Sequence, residues 1–364
     1  MKAFLNVITA WLVCSSPVSA QSLSIPHADA VEAVIAKSGF DGDVAASLGG
    51  VSVSFMHASL PLEPYPSERA DEPLWRWASV TKQVVAVLVM QEVVRGTIKL
   101  DVPVSTYLPK FASPNAGKIT VRQLLRHQSG LPNPDDAQAS SISESAFYFP
   151  FYKGSRDPLT GYCAGPPKGE VGGNWSYNNC DYMVAGALLE AVTGKSWQVL
   201  VDERIAKPLG LETLSAYPTK RWTRKGLVDG KPEPAFDMST FGAAAGLYGT
   251  AEELIRFDDA LMKGKLLPAG ALKEIWDGQA DLGFIALGQW VFEARLKGCV
   301  APTRIVERRG AIGGVQVRNF MAPGRKVAVA AFIQNDKFDF GEIWQGKGFS
   351  FDVLSAALCP EKEK

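Results

Sequence analysis

The chain has 364 residues, 46% of them hydrophobic and 21% charged, enough for one large or two medium-sized units around a substantial core. Its 38 basic and 38 acidic residues cancel, and no block of like charge stands out. This excludes the long-range field that gathers nucleic acid or an anionic membrane surface and suits a small-molecule or peptide substrate.

In chain order, the N-terminus reads MKAFLNVITAWLVCSSPVSAQS: one lysine, an apolar run from Ala3 to Val13, then the small residues Ser19 and Ala20. Residues 1–20 are expected to be a cleaved secretion signal, leaving 21–364 as a secreted or periplasmic chain. The run is about half the length of a membrane span, and Val13 is bulkier than the residue that usually precedes a lipid-anchored cysteine at a position like Cys14. Without the signal four cysteines remain, Cys163, Cys180, Cys299 and Cys359, an even number in an oxidising compartment. Three pairings are open, as are free buried thiols. Cys163 with Cys180 is favoured because that loop closes easily, and Cys299 with Cys359 follows by elimination. The three histidines, His27, His57 and His127, are scattered and no cysteine spacing suits zinc, so neither metal nor other cofactor is expected.

Residues 26–38 have helical spacing and VSVSFMH (51–57) alternates like a half-buried strand. From Ser79 to Gly96 apolar residues cover every side of a predicted helix, which must therefore be surrounded by protein. ITVRQLLRH (119–127), DYMVAGALLEAVTG (181–194) and TAEELIRFDDALMKG (250–264) follow as helices, the last with a Thr250-x-x-Glu253 capping box. Between Gly130 and Gly173 periodicity is weak, and AFYFPFY (146–152) either lines a substrate mouth or packs a loop. TRIVERRG, GGVQVRNFMAP and RKVAVAAFIQND read as three consecutive strands, and 346–358 as a last helix. The expected class is α/β in the α+β sense. An antiparallel sheet built from both chain ends (about 21–78 and 285–364) carries a mainly helical insertion (about 79–284).

Ser79 and Lys82 stand three apart where the apolar helix begins. On one helix face the amine reaches the hydroxyl, and a desolvated lysine can act as the base that a serine nucleophile needs. Equally, Ser79 could cap the helix while Lys82 snorkels. No other lysine here has a serine three residues before it. Tyr177-Asn178-Asn179 adds a phenol able to shuttle a proton and an amide able to hold both a lysine and a carbonyl.

Together these segments resemble the serine β-lactamase and penicillin-binding superfamily, in its class C-like and esterase-like branch. LWRWASVTKQ, IKLDVPVSTYLPKF, ITVRQLLRHQSGLP, NWSYNNCDYMVAGALLEAVTGKSW and AAAGLYGTAEELIRFDDAL are similar to its ordered landmarks across nearly the whole mature chain. The resemblance implies a serine hydrolase acting on an amide, β-lactam or ester through an acyl-Ser79 intermediate. Lys82 and Tyr177 would manage protons, and Asn179 would position Lys82 and substrate. The backbone N–H of Ser79 and of Ala311 would form the oxyanion hole, with His127 in a structural loop. Where the family has Lys or His, any residue, then Gly, this chain has Arg308-Arg309-Gly310. Arg308 cannot shuttle protons. It would hold a substrate carboxylate or block the pocket, and the latter favours a silent binder of cell-wall peptide or a partner.

Overall fold

A computed structural model describes residues 27–48, 50–56, 73–139 and 142–360; the expected signal peptide lies outside them. The elements used below are, in chain order, α1 (Ala28–Ser38), β1 (Gly42–Leu48), β2 (Val51–Met56), β3 (Trp75–Arg76), α2 (Thr81–Arg95), α3 (Val121–Leu125), α4 (Asn179–Thr193), β4 (Ser215–Ala216), β5 (Leu247–Gly249), α5 (Ala251–Met262), β6 (Trp290–Ala294), β7 (Thr303–Ile312), β8 (Val315–Ala322), β9 (Val327–Ile333) and α6 (Phe349–Leu358). Six strands form one sheet in the order β6-β7-β8-β9-β1-β2, and every pairing is antiparallel. The sheet thus takes strands from both chain ends. Its C-terminal part has four strands rather than three, because the short β6 precedes the three legible ones. β3 does not join it; it pairs with β5, which also pairs with β4.

Alternation along β9 explains how the sheet is covered. Ala328, Ala330 and Phe332 pack with α2 and α5, whereas Val329, Ala331 and Ile333 pack with Val31 and Ile35 of α1 and Val353 and Leu354 of α6. Burying both faces makes the sheet a rigid platform. α2 is buried from Thr81 to Met90, as its all-round apolar pattern requires.

Two local expectations are corrected. Ser79 does not cap α2. It lies in a 3-10 turn, Ala78–Val80, and the helix starts at Thr81 with no side-chain cap, so the Ser79 hydroxyl is left for other partners. At α5 only half the capping box forms: Thr250 accepts from the Glu253 N–H, but the Glu253 carboxylate turns to the N–H and hydroxyl of Thr213. Among the described residues no helix is long and apolar enough to cross a membrane. Bonds join Cys163 to Cys180 and Cys299 to Cys359.

Candidate active site

Local backbone geometry sets Ser79 at the sheet. Ala78 takes a left-handed φ of 46°, which costs a non-glycine residue energy and turns the chain sharply before Ser79. Gly310 on β7 makes the approach possible, since a Cβ there would stand 2.7 Å from the Ser79 nitrogen. Among the described residues β7 has no strand partner on the β6 side beyond Glu307, which faces Trp290. Its remaining half, from Arg308 to Ile312, therefore leaves an open edge beside Ser79, and the exposed Ala311 lies on it.

At the second residue of α2, Lys82 is fully buried and its Nζ meets four oxygens: Ser79 Oγ at 3.1 Å, Tyr177 OH at 2.7 Å, Asn179 Oδ1 at 2.7 Å and the Ala244 carbonyl at 2.9 Å. Ser79 Oγ and Tyr177 OH are 2.6 Å apart. An ammonium has only three N–H groups, so four neighbours exceed its donors. A neutral amine fits: two N–H groups serve Asn179 and Ala244, and the lone pair faces the two hydroxyls. Burial drives the amine well below the ordinary lysine value of 10.5, and the Arg308 charge pushes it further down, against the Asp135 carboxylate. The same burial pushes the Tyr177 phenol up, against the opposite pull of Arg308. Both shifts favour the proton on oxygen and a free lone pair on nitrogen.

Asn179 is held in the orientation this needs. Its Nδ2 donates to Asp135 Oδ1 at 3.0 Å and to Tyr148 OH at 2.8 Å, which leaves Oδ1 for the lysine. Asn179 opens α4 beside the Cys163–Cys180 bond, and Asn178 caps that helix. On α4, Gly186 admits the short helix Gly242–Ala245, because a Cβ at Gly186 would lie 2.6 Å from the Ala243 Cβ. That contact carries the Ala244 carbonyl to Lys82.

Arg308 neither offers itself to solvent nor spans the cleft. It is 1% exposed, its Nε donates to the Ser79 carbonyl at 2.8 Å, its Nη2 reaches Tyr177 OH at 3.4 Å, and its Nη1 has no partner. The guanidinium lies over the Tyr177 and Trp290 rings. Burial lowers its pKa, yet a guanidinium stays charged. Arg309, in contrast, is paired with Glu307 and Glu342.

His127 lies beneath this group, 4.9 Å from the Tyr177 ring centroid. Its Nδ1 accepts the Asn178 N–H and lies 2.9 Å from Asp181, whose other oxygen receives the Ser129 hydroxyl. Burial raises Asp181 well above 3.8 and lowers His127 well below 6.5. The Nδ1 position is thus taken up by the Asn178 N–H and Asp181, and among the described residues no hydrogen bond of the ring reaches Ser79 Oγ, so His127 is not placed to act as its base.

The geometry thus gathers Ser79, Tyr177, Asn179, Arg308, Gly310 and Ala311 on the lining of a cleft of about 530 Å³, with Lys82 buried behind them. Asp135, Tyr148 and the Ala244 carbonyl belong to the same network and have no motif of their own. From the AFYFPFY segment, Phe147 is buried in the core while Tyr148, stacked on Phe241 at 4.3 Å, lines the cleft, so both readings of that segment hold. The Cys299–Cys359 bond lies elsewhere, tying the chain before β7 to the end of α6.

An antiparallel sheet covered on both faces, with a serine and a buried lysine where a 3-10 turn meets a strand edge, defines a serine acyl-transfer scaffold. The chain belongs to the beta-lactamase family, whose sequence profile matches residues 49–343. It is 29% identical to the esterase EstB of Burkholderia gladioli over 230 residues, 52% of this chain and 57% of the esterase. It is 28% identical to penicillin-binding protein 4 of Amycolatopsis lactamdurans over 220 residues, 55% and 53% of the two chains. The matches span about half the length of these relatives. A D-stereospecific amidohydrolase from Streptomyces sp. shares the fold, with a TM-score of 0.68 at 24% identity over 92% of this chain and 99% of that one.

Proposed function

We propose that the protein is a secreted serine hydrolase that cleaves an ester, amide or β-lactam through an acyl-Ser79 intermediate. One observation carries the reading: the buried Lys82 amine, held by Asn179 Oδ1 and the Ala244 carbonyl, stands within hydrogen-bond reach of both Ser79 Oγ and Tyr177 OH. As Ser79 Oγ bonds to the substrate carbonyl carbon, its proton passes to Lys82, directly or through Tyr177, which gives up one proton as it gains another. The carbonyl oxygen becomes an oxyanion, which the N–H groups of Ser79 and Ala311 would bind. Collapse breaks the bond to the leaving group, and Lys82 returns the proton to it along the same path. Water then repeats the sequence on the acyl-enzyme and restores Ser79.

Arg308 holds Tyr177 from the wall without covering Ser79, which removes the reason to favour a silent binder. The N-terminal signal pattern and two disulfides support export. Incubation with a penicillin, a fluorophosphonate or a short nitrophenyl ester, followed by intact-mass measurement, is expected to show an adduct that Ser79→Ala abolishes. No adduct with any of the three would refute the assignment. Parallel turnover of nitrocefin, a D-Ala-D-Ala peptide and the ester then ranks the substrate classes.

A further inference from the structure

We infer that the cleft selects acyl donors bearing a positively charged amine near the scissile carbonyl, and that Asp135 binds that amine. This rests on the hydrolase reading and names its substrate class. Asp135 lies in the 3-10 turn Pro134–Asp136, is exposed, and is the one carboxylate on the cleft lining. Its Oδ1 is fixed by Tyr148 OH at 2.5 Å and Asn179 Nδ2 at 3.0 Å, whereas Oδ2 has only a long contact of 3.4 Å with Asn133 Nδ2. No lysine or arginine forms an ion pair with it among the described residues.

Position and surroundings specify the ligand. Through Asn179, Asp135 is two hydrogen bonds from the Lys82 amine, so a group bound there lies close to the reacting carbonyl and is assigned to the half of the substrate that stays on Ser79. Tyr148, Phe236 and Phe241 line the cleft near it and offer apolar surface and ring faces that attract a cation. The β7–β8 wall carries Arg308 and Arg318, neither of which forms an ion pair with a carboxylate among the described residues, and turns an amine away. An unpaired, pre-oriented carboxylate beside aromatic faces fits the free amine and apolar side chain of an aminoacyl ester, amide or short peptide.

The test compares phenylalanine methyl ester, in both enantiomers, with its N-acetyl derivative, using fluorophosphonate labelling of Ser79 as a reference. Wild type is expected to favour the free amine by roughly ten-fold or more in kcat/KM, mainly through KM. Asp135→Asn should bring that ratio to about one, and Asp135→Glu should retain a preference, a pattern that lost Asn179 positioning alone would not produce. Equal or better cleavage of the acetylated ester by wild type, or a ratio that survives in Asp135→Asn, overturns the inference while labelling leaves the hydrolase reading intact. No labelling and no turnover overturns both.

Discussion

Replacing Arg308 with methionine tests whether a permanent charge in the cleft wall sets the protonation of Lys82. Nη2 of Arg308 lies 3.4 Å from Tyr177 OH, which lies 2.7 Å from Lys82 Nζ. At about 6 Å and an effective dielectric constant of about 20, two unit charges repel by about 3 kcal/mol, equivalent to about two pH units in the lysine titration. Water entering the vacated space screens part of this, so a shift of at least about one unit is expected. The sign is fixed: removing a cation makes the ammonium easier to form, so the Lys82 pKa rises toward 10.5. The acidic limb of kcat/KM, which reports neutral Lys82 in the free enzyme, then moves to higher pH. Arg308→Lys keeps a charge and should leave the limb nearly in place. Both plateaus should fall, since neither side chain reproduces the Nε bond to the Ser79 carbonyl. The assay is kcat/KM against pH for the best-turned-over ester. A limb that stays put in Arg308→Met, with Ser79 still labelled by a fluorophosphonate, would refute the electrostatic role.

Other predictions follow from the same geometry. Gly310→Ala forces a Cβ toward the Ser79 nitrogen, Val317 and Ala78, so kcat should drop by roughly two orders of magnitude and the unfolding midpoint should fall as well, since overpacking costs roughly 1–3 kcal/mol. Asp181→Asn imitates the protonated acid. Because the folded pKa of Asp181 is raised, its native interactions contribute most below the unfolded value of 3.8 and are lost as pH rises through the folded pKa; the variant should remove that loss. Urea unfolding of variant and wild type at mildly acidic and mildly alkaline pH measures it, and a larger penalty for the variant at alkaline pH would contradict a neutral Asp181. Breaking Cys163–Cys180 with Cys163→Ser releases a separation of 17 residues and should cost about 3 kcal/mol. Activity should fall further than stability accounts for, because Asn179 adjoins the bond. Breaking Cys299–Cys359, with a separation of 60, should cost about 4 kcal/mol without that added loss of activity.

How much was legible in the sequence depended on the kind of signal. The late strands announced themselves through apolar runs bounded by Gly313-Gly314 and Pro323-Gly324. β1, GDVAASL, is buried along its whole length, so it lacks the alternation of a half-solvated strand, and its small residues resemble loop. β6 is only five residues long. At the site, Ser79, Lys82, Tyr177 and Asn179 could be proposed because each carries reactive chemistry at a fixed spacing. Asp135 and Tyr148 could not: they reach Asn179 across 44 and 31 residues of sequence, and the stretch that holds them has no clear period. The Ala244 carbonyl is backbone and has no side-chain signature. For Arg308 the sequence left open where the guanidinium goes, since composition says nothing about which way a strand residue points; it bonds the Ser79 carbonyl and lies against Tyr177.

The open half of β7 is also a hazard that the fold must contain. An unpaired strand edge invites any extended chain to add to it, the route by which sheets aggregate and swap partners. Here the exposed length is short, begins at a guanidinium turned into the wall, and ends at the Gly313-Gly314 turn, against which Gly226 and Leu227 pack closely. A neighbouring protein finds too little edge to build on. The same short edge that offers little to a neighbouring sheet also sets a limit on how long an extended chain could be laid beside Ser79.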